Sequence, residues 1–289
     1  MTSYFGTVQR ILRWPVKSLR GEDLRRGHFD GRGLVGDRAY ALVDERESHA
    51  GKVLTVRHRP EMLHWRAGYA PLSGGNGDDA GNGDGGAGAI PGASSGDILA
   101  GNGDGIALPG DGRAPTLTAP DGTVWEWDAP GLTGALTESL NTPLSLRAAD
   151  GQHDRSMTVL VTFARSLAAL GEELGTPVEV ERFRPNLHLD VDAPAFDEED
   201  WEPGTVITVG GAELSVVGER TGPCVRCVVP SWDPLGRERR PELQKWLIAE
   251  HRNRFGVIMR VTRPGAVGLG DGVTVVPGPV PGERPAGSS

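Results

Sequence analysis

The N-terminal segment reads FGTVQRILRWPVKS over residues 5–18. Its first eight residues show the alternation of apolar and polar side chains that is typical of a strand with one buried face. A second strand is predicted at 37–43, after a glycine-rich turn at 31–36, and two more at 54–56 and 63–69. Short strands at this spacing, without a helix-length apolar period, indicate a small barrel or sandwich.

The rest of the chain mixes further strands with three helices. Turn chemistry predicts a hairpin at 116–119 and 123–128, and leucines four residues apart predict a helix from Leu132 to Leu140. Further helices are expected after Thr162 and from Pro241 to His251, and further strands at 178–180, 186–191, 205–209, 213–217, 257–261 and 272–276. This mostly β order excludes the regular βαβ repeat of a dinucleotide-binding Rossmann domain.

Residues 73–112 differ in composition from the rest of the chain. They repeat Gly-Asn-Gly-Asp units and contain neither lysine nor arginine. Such a segment buries too little apolar surface to offset the entropy of ordering it. We therefore predict a disordered acidic insertion at 73–112, and a disordered Pro/Gly-rich tail at 279–289.

Composition excludes several classes of protein. The chain has 30 basic and 39 acidic residues, a formal net charge of −9, which argues against a nucleic-acid partner. It has no run of 18 apolar residues, so no membrane span is expected. The first residues lack the features of a signal peptide, which predicts a cytoplasmic location. Only two cysteines are present, too few for a disulfide framework.

The two cysteines form the motif Cys224-Val225-Arg226-Cys227. A structural zinc site needs two more ligands, and no second cysteine pair or paired histidines exist in the sequence. A thioredoxin-type pair belongs beside a βαβ pattern, which is missing. Two readings remain open: a pair of buried structural cysteines, or one reactive thiolate favoured by Arg220 and Arg226, the form that binds soft metals.

Groups suited to binding an oxyanion occur at four other places. Lys17, one of only three lysines, and Ser18 follow the first strand, and Arg38 opens the second. Ser156 precedes another apolar run, and the segment 182–186 places arginines beside a proline just before a strand. An arginine held beside a proline at the start of a strand can bind a phosphate through two parallel hydrogen bonds from its planar guanidinium group. The alternative at each position is a surface arginine in a salt bridge.

Taken together, these motifs resemble the MOSC family, the molybdenum cofactor sulfurase C-terminal domains, preceded by the MOSC N-terminal β-barrel. The resemblance rests on Trp-Pro-Val-Lys-Ser at 14–18, Gly-Asp-Arg-Ala-Tyr-Ala-Leu-Val at 36–43, Leu-Thr-Val-Arg at 54–57, Arg-Phe-Arg-Pro-Asn at 182–186, the cysteine motif at 224–227 and Gly-Leu-Gly-Asp-Gly-Val at 268–273. It implies a mostly β fold with a few helices, in which an N-terminal β-barrel domain at 1–128 is followed by a MOSC β-barrel domain at 129–278. The family usually continues its cysteine motif as Thr-Thr-x-Asp-Pro, whereas this sequence has Val-Val-Pro-Ser-Trp-Asp-Pro at 228–234, a departure near the expected substrate entrance.

The resemblance is strongest to the amidoxime-reducing component and its bacterial relatives, and it implies a molybdenum cofactor, molybdopterin. Matched motif by motif, Cys227 is the catalytic metal ligand and Cys224 its less essential neighbour. The residues that would hold the cofactor's phosphate and pterin are Lys17, Ser18, Arg38, Ser156, Arg184 and Asn186.

The activity that the resemblance implies is reduction of small N-hydroxylated substrates. No cysteine set for an iron–sulfur cluster follows the MOSC region, so electrons are expected from a separate reductase or ferredoxin-like protein. Two other functions stay open. The same pocket could carry the cofactor or a sulfur atom to another enzyme without reductase turnover, or the chain could be a structural protein that contacts a partner through its acidic loop.

Overall fold

The computed structural model describes residues 3–69, 114–149, 157–218 and 221–278. The strands are β1 Tyr4–Arg13, β2 Glu22–Leu24, β3 Arg26–Asp30, β4 Gly33–Leu34, β5 Tyr40–Asp44, β6 Lys52–Val53, β7 Arg66–Gly68, β8 Thr116–Thr118, β9 Val124–Glu126, β10 Leu144–Ala148, β11 Val159–Phe163, β12 Leu187–Val191, β13 Val206–Val209, β14 Ala212–Ser215, β15 Gly222–Val225, β16 Arg254–Arg263, β17 Gly265–Gly268 and β18 Gly272–Val276. The helices are α1 Leu132–Leu140, α2 Ala164–Glu173 and α3 Pro241–Glu250, with short 3-10 turns at Pro60–His64, Val180–Phe183, Asp197–Asp200 and Val229–Ser231. The predicted fold class, mostly β with a few helices, is confirmed.

A closed barrel of seven strands forms the larger unit. The strand order is β11-β12-β1-β18-β13-β14-β16, and β16 pairs back onto β11. Apolar side chains fill the interior, as a barrel of this size requires; they include Ile11, Val161, Leu189, Leu214 and Met259. All pairs are antiparallel except β11 with β12, which are parallel and joined through α2. One β-α-β unit therefore exists in a chain without a regular βαβ repeat.

The second unit packs around its own apolar core. Strands β5, β6 and β10 form one three-stranded sheet and β7, β8 and β9 another. The leucines of α1 are fully buried in this core, together with residues that precede the helix in sequence, among them Val16, Leu42, Trp65 and Leu117. Helix α1 and β10 belong to this second unit although they lie beyond residue 128, and β1 belongs to the barrel although it lies before that residue. The domain boundaries at 1–128 and 129–278 stay a prediction.

Strand β1 is one of the seven barrel strands, and the residues at its C-terminal end connect the two units. The buried Trp14 follows directly, and its backbone amide donates to Asp37 Oδ1 at 2.9 Å. Its indole Nε1 donates to the carbonyl of Pro185 at 2.8 Å. Since Asp37 precedes β5 and Pro185 precedes β12, Trp14 holds the entrances of two distant strands together.

Two of the predicted strands are wrong. Residues 54–56 follow β6 as a loop and the start of a turn, and 178–180 run into the 3-10 turn Val180–Phe183. The predicted strand at 63–69 is shorter, because the 3-10 turn that starts at Pro60 occupies its first residues. Short apolar runs beside prolines are ambiguous between strand and turn.

Several predictions fall outside the described residues: the acidic insertion at 73–112, the tail at 279–289, Ser156 and Arg220. Across the segments that are described, no helix is long and apolar enough to cross a membrane.

Candidate functional site

A cavity of about 490 Å³ opens where the turn after β1, the entrance to β5, the segment before β12 and the cysteine motif meet. Five of the predicted site residues line it: Lys17, Ser18, Arg38, Arg184 and Cys227. We call it the Lys17 cavity. These five residues supply four cationic or hydrogen-bonding side chains and one cysteine, and they come from parts of the chain far apart in sequence.

Lys17 and Ser18 are positioned by the pairing of their turn with β5. The backbone amide of Lys17 donates to the carbonyl of Tyr40 at 2.8 Å, and Val16 forms a parallel bridge to the same tyrosine. Ser18 has a φ of 71°, in the left-handed region that residues other than glycine rarely adopt. The backbone that carries the two side chains is therefore set by β5 rather than by local preference.

Arg38 is buried, with only 1% of its surface exposed. Its guanidinium pairs with the carboxylate of Asp37, and its Nη2 donates to the backbone carbonyl of Arg184 at 3.0 Å. Asp37 in turn accepts the amide hydrogen of Trp14. These bonds fix the Arg38 guanidinium at the cavity wall and tie the β5 entrance to the segment before β12.

Arg184 ends the 3-10 turn Val180–Phe183 with a φ of 56°. Its guanidinium carbon lies 4.2 Å from the centre of the Trp14 ring, a cation–π contact, and its Nη2 donates to the carbonyl of Leu19 at 2.8 Å. With Ser18 and Arg38, it is the third predicted site residue with a left-handed backbone. Such strain costs about 1–3 kcal/mol per residue and concentrates at functional sites.

The two cysteines are not equivalent. Cys224 is 4% exposed at the end of β15, whereas Cys227 is partly exposed, and both face the Lys17 cavity. The sulfur of Cys224 accepts a hydrogen bond from Arg226 Nη1 at 3.0 Å. The reading as two buried structural cysteines therefore describes Cys224 better than Cys227.

Arg226 also lines the cavity and is 7% exposed. Its Nη2 donates to the carbonyl of Phe183 at 2.6 Å, but its Nε is buried without a hydrogen-bond partner. Within the described segments, no carboxylate pairs with this guanidinium. A buried cation with an unsatisfied donor is costly, so the cavity wall is better suited to an anion than to an apolar ligand.

Comparison with known families decides what kind of protein carries this cavity. The family model of the MOSC domain matches residues 150–274, and that of the MOSC N-terminal beta barrel domain matches residues 5–77. The chain belongs to the MOSC family. The predicted resemblance is thereby confirmed, and the MOSC domain is generally linked to binding of the molybdenum cofactor.

Solved structures similar to this MOSC chain share little sequence with it. The YUAD protein from Bacillus subtilis is 14% identical over 95% of this chain and 97% of that chain, with a TM-score of 0.43. YiiM from Geobacillus stearothermophilus is 19% identical over 43% of this chain and 56% of that chain, with a TM-score of 0.33. YiiM from Escherichia coli is 16% identical over 44% and 57%, with a TM-score of 0.30. No curated protein matches the chain.

Asn186 of the MOSC chain lies behind the cavity and not in its wall. The side chain is fully buried: its Oδ1 accepts from the amide of Leu160 at 3.2 Å, and its Nδ2 donates to the carbonyl of Leu12 at 3.3 Å. It thus joins the ends of β1 and β12 to β11, and its side chain acts on the cavity only through that backbone. Ser156, the remaining predicted residue, lies outside the described segments.

Among the other residues that line the Lys17 cavity are three arginines and one histidine that are not in the predicted set of binding residues: Arg57, Arg182, Arg226 and His58. Arg57 and Arg182 stand in motifs that the sequence does single out, and Arg226 stands between the cysteines. His58 has no signal in the sequence, since only the turn after residue 54 brings it to the cavity. The three arginines add guanidinium groups to the wall.

Proposed function

We propose that this MOSC chain binds molybdopterin in the Lys17 cavity and reduces small N-hydroxylated substrates with electrons from a separate protein. The proposal rests on one observation. A single cavity is lined by five of the predicted site residues, Lys17, Ser18, Arg38, Arg184 and Cys227. Family membership supports the cofactor. The reductase activity is our inference from the resemblance of the cysteine and arginine motifs.

The chemistry of the cavity wall fits the cofactor. A phosphate that is dianionic near neutral pH needs several fixed cations and donors. Lys17 supplies a mobile point charge, whereas Arg38 and Arg184 supply planar guanidinium groups held in place by their own hydrogen bonds. We therefore assign the phosphate and pterin to these residues together with Ser18.

The metal-ligating side chains of the described residues also fit a molybdenum cofactor. Among the described residues, no three histidine, cysteine or acidic side chains come together as a ligand set. A metal at this cavity thus depends on ligands that a cofactor brings, with one thiolate from the chain. Cys227 is the partly exposed cysteine at the cavity, and we assign it that role. When bound, the molybdenum cofactor supplies the two-electron redox chemistry.

The chain itself positions the cofactor and shapes the entrance. Val229 and Pro230 line the cavity next to Cys227, where this sequence departs from the usual family motif. Both side chains are apolar and exclude water from that part of the wall. We infer that they restrict the entrance to small substrates.

Electrons are proposed to come from a separate reductase or ferredoxin-like protein. Both cysteines of the sequence lie at the Lys17 cavity, which leaves none to hold an iron–sulfur cluster. We infer that the donor docks near this cavity, because its electrons have to reach the cofactor proposed to bind there.

Purified protein tests the proposal in two measurements. Elemental and pterin analysis should find stoichiometric molybdenum and molybdopterin, and benzamidoxime with a chemical reductant should be converted to benzamidine. Cofactor or persulfide without turnover would favour the carrier function. Absence of molybdenum, pterin and persulfide would refute both and leave the structural interpretation.

Paired serine variants test the metal ligand. Cys227→Ser should lose molybdenum while retaining much of the pterin, because the groups assigned to the phosphate are unchanged. Cys224→Ser is the matched control and should keep most of its metal. Equal and complete metal loss in both variants would overturn the assignment of Cys227.

A further inference from the structure

A second cavity, of about 360 Å³, lies beside the Lys17 cavity. Arg182, Arg184 and Val229 line both. We call it the Arg20 cavity, after a residue that lines only this second space. Nothing in the proposed function uses it.

One part of its wall is apolar and aromatic. Trp14 and Trp232 line it together with Leu63 and Leu235. Pockets that bind small molecules typically combine such surfaces with a few polar groups and begin at about 300 Å³. The Arg20 cavity has the size and the surface for one small planar molecule.

The polar part of the wall contains arginines that lack ion pairs. Arg20 Nη2 donates to the carbonyl of His64 at 3.0 Å, while its Nε is buried without a partner. Arg66 forms a backbone bridge to Arg20, and within the described part of the chain its guanidinium donates to the carbonyl of Gly21 at 3.2 Å. Neither pairs with a carboxylate of the described segments. Burial, and then repulsion from Arg66 and Arg237, lower the pKa of the Arg20 guanidinium.

The acidic residues that line this cavity already have partners. Arg13 pairs with Glu22 at 2.8 Å, Arg10 with Asp23 at 2.7 Å and with Glu181 at 2.6 Å, Arg182 with Glu179 at 2.6 Å, and Asp233 accepts the backbone amides of Arg237 and Glu238 at 2.6 and 3.0 Å. These carboxylates therefore leave Arg20 and Arg66 without a carboxylate partner in the described segments.

We propose that the Arg20 cavity binds a small organic acid, whose carboxylate pairs with Arg20 and Arg66 while its planar body packs against Trp14 and Trp232. The carboxylate supplies the negative charge that the two guanidinium groups lack within the described segments, and charge-assisted bonds of this kind are strong. Because Arg184 lines both cavities, the acid also adds negative charge beside a guanidinium that faces the Lys17 cavity. The site does not depend on the molybdenum cofactor.

Calorimetric titration of the purified protein with benzoate tests the proposal, with benzamide as the neutral probe of nearly the same shape. Benzoate should bind at one saturable site, and benzamide at least about tenfold more weakly, because it leaves the guanidinium charges unpaired. Arg20→Gln and Arg66→Gln should each weaken benzoate about tenfold. Arg66 is exposed, so its variant keeps the test valid if Arg20→Gln does not fold.

Two control variants locate the bound acid. Arg263→Gln removes a charge from the exposed end of β16, and Lys17→Gln removes one from the neighbouring cavity; neither should change benzoate affinity. Loss of binding in Lys17→Gln alone would place the acid in the Lys17 cavity and overturn the proposal. Equal affinity for benzoate and benzamide, or no saturable binding of benzoate, would also overturn it. None of these results depends on whether the protein contains molybdenum.

Discussion

Replacing Glu198 by glutamine should change how the stability of the protein depends on pH. Glu198 lies in the 3-10 turn Asp197–Asp200, which packs against β15 and β16, and only 2% of the residue is exposed. Ser166 Oγ donates to its Oε2 at 2.9 Å, but its Oε1 is buried without a partner. Burial raises the pKa of this carboxyl group from 4.5 to about 7, with a smaller contribution from repulsion by Glu199 and Asp197.

The sign of the effect follows from proton binding. Between pH 4.5 and about 7 the folded state holds a proton on Glu198 that the unfolded state has released. Folding is therefore disfavoured as pH rises through this window, and the full penalty is present above it. A shift of this size corresponds to about 3 kcal/mol. Glutamine cannot ionise. The free energy of unfolding of Glu198→Gln should therefore rise by about 3 kcal/mol relative to that of the native protein as pH increases across the window.

Urea unfolding, followed by tryptophan fluorescence at several pH values from about 5 to about 8, measures this difference. A constant packing cost of the substitution cancels, because only the change with pH is compared. Glu250→Gln removes an exposed carboxylate at the end of α3 and serves as the control. If the free-energy difference between Glu198→Gln and the native protein were the same at both ends of the range, the reasoning about the buried carboxyl would be refuted.

Three further substitutions test the site and the barrel. Arg184→Ala should lower the pterin content of the purified protein several-fold by removing an assigned phosphate ligand; unchanged pterin would count against the assignment. Gly6→Ala places a Cβ 1.8 Å from the carbonyl oxygen of Asp190, where β1 pairs with β12, and should cost about 1–3 kcal/mol in urea unfolding. Trp14→Phe removes the bond to the Pro185 carbonyl and leaves that buried acceptor unpaired, which should cost about 1–3 kcal/mol; an unchanged unfolding midpoint would contradict that role.

Elements with a strong local pattern could be predicted from the sequence. The leucine spacing of α1, the proline that starts α3 and the alternation in β1 each follow from side chains a few residues apart. The segment 178–180 was assigned wrongly because it is too short to carry a period, and the chain there turns to place Arg182 and Arg184. Strands as short as β2, β4 and β15 carry no period either, and they form only because a neighbour pairs with them.

The candidate site was predictable in its residue types but not in its arrangement. The motifs around Lys17, Arg38, Arg184 and Cys227 suggested an anion site through their resemblance to a family, while nothing local predicted that they meet. Asn186 illustrates the limit, since its place in the motif does not reveal that its amide faces backbone groups.

The sequence by itself determined the β-rich class, the acidic balance, the helical segments and the kinds of side chain available for chemistry, because each depends on composition or on neighbours within a few residues. The tertiary structure alone decided that β1 closes a barrel with β12 and β18, that Trp14 joins the entrances of β5 and β12, and that Arg226 is buried with no carboxylate partner among the described residues. The pairing of β1 with β12 and β18 and the bond from Trp14 to Pro185 join residues more than a hundred positions apart. They depend on the free energy of closing the whole barrel, which no local pattern encodes.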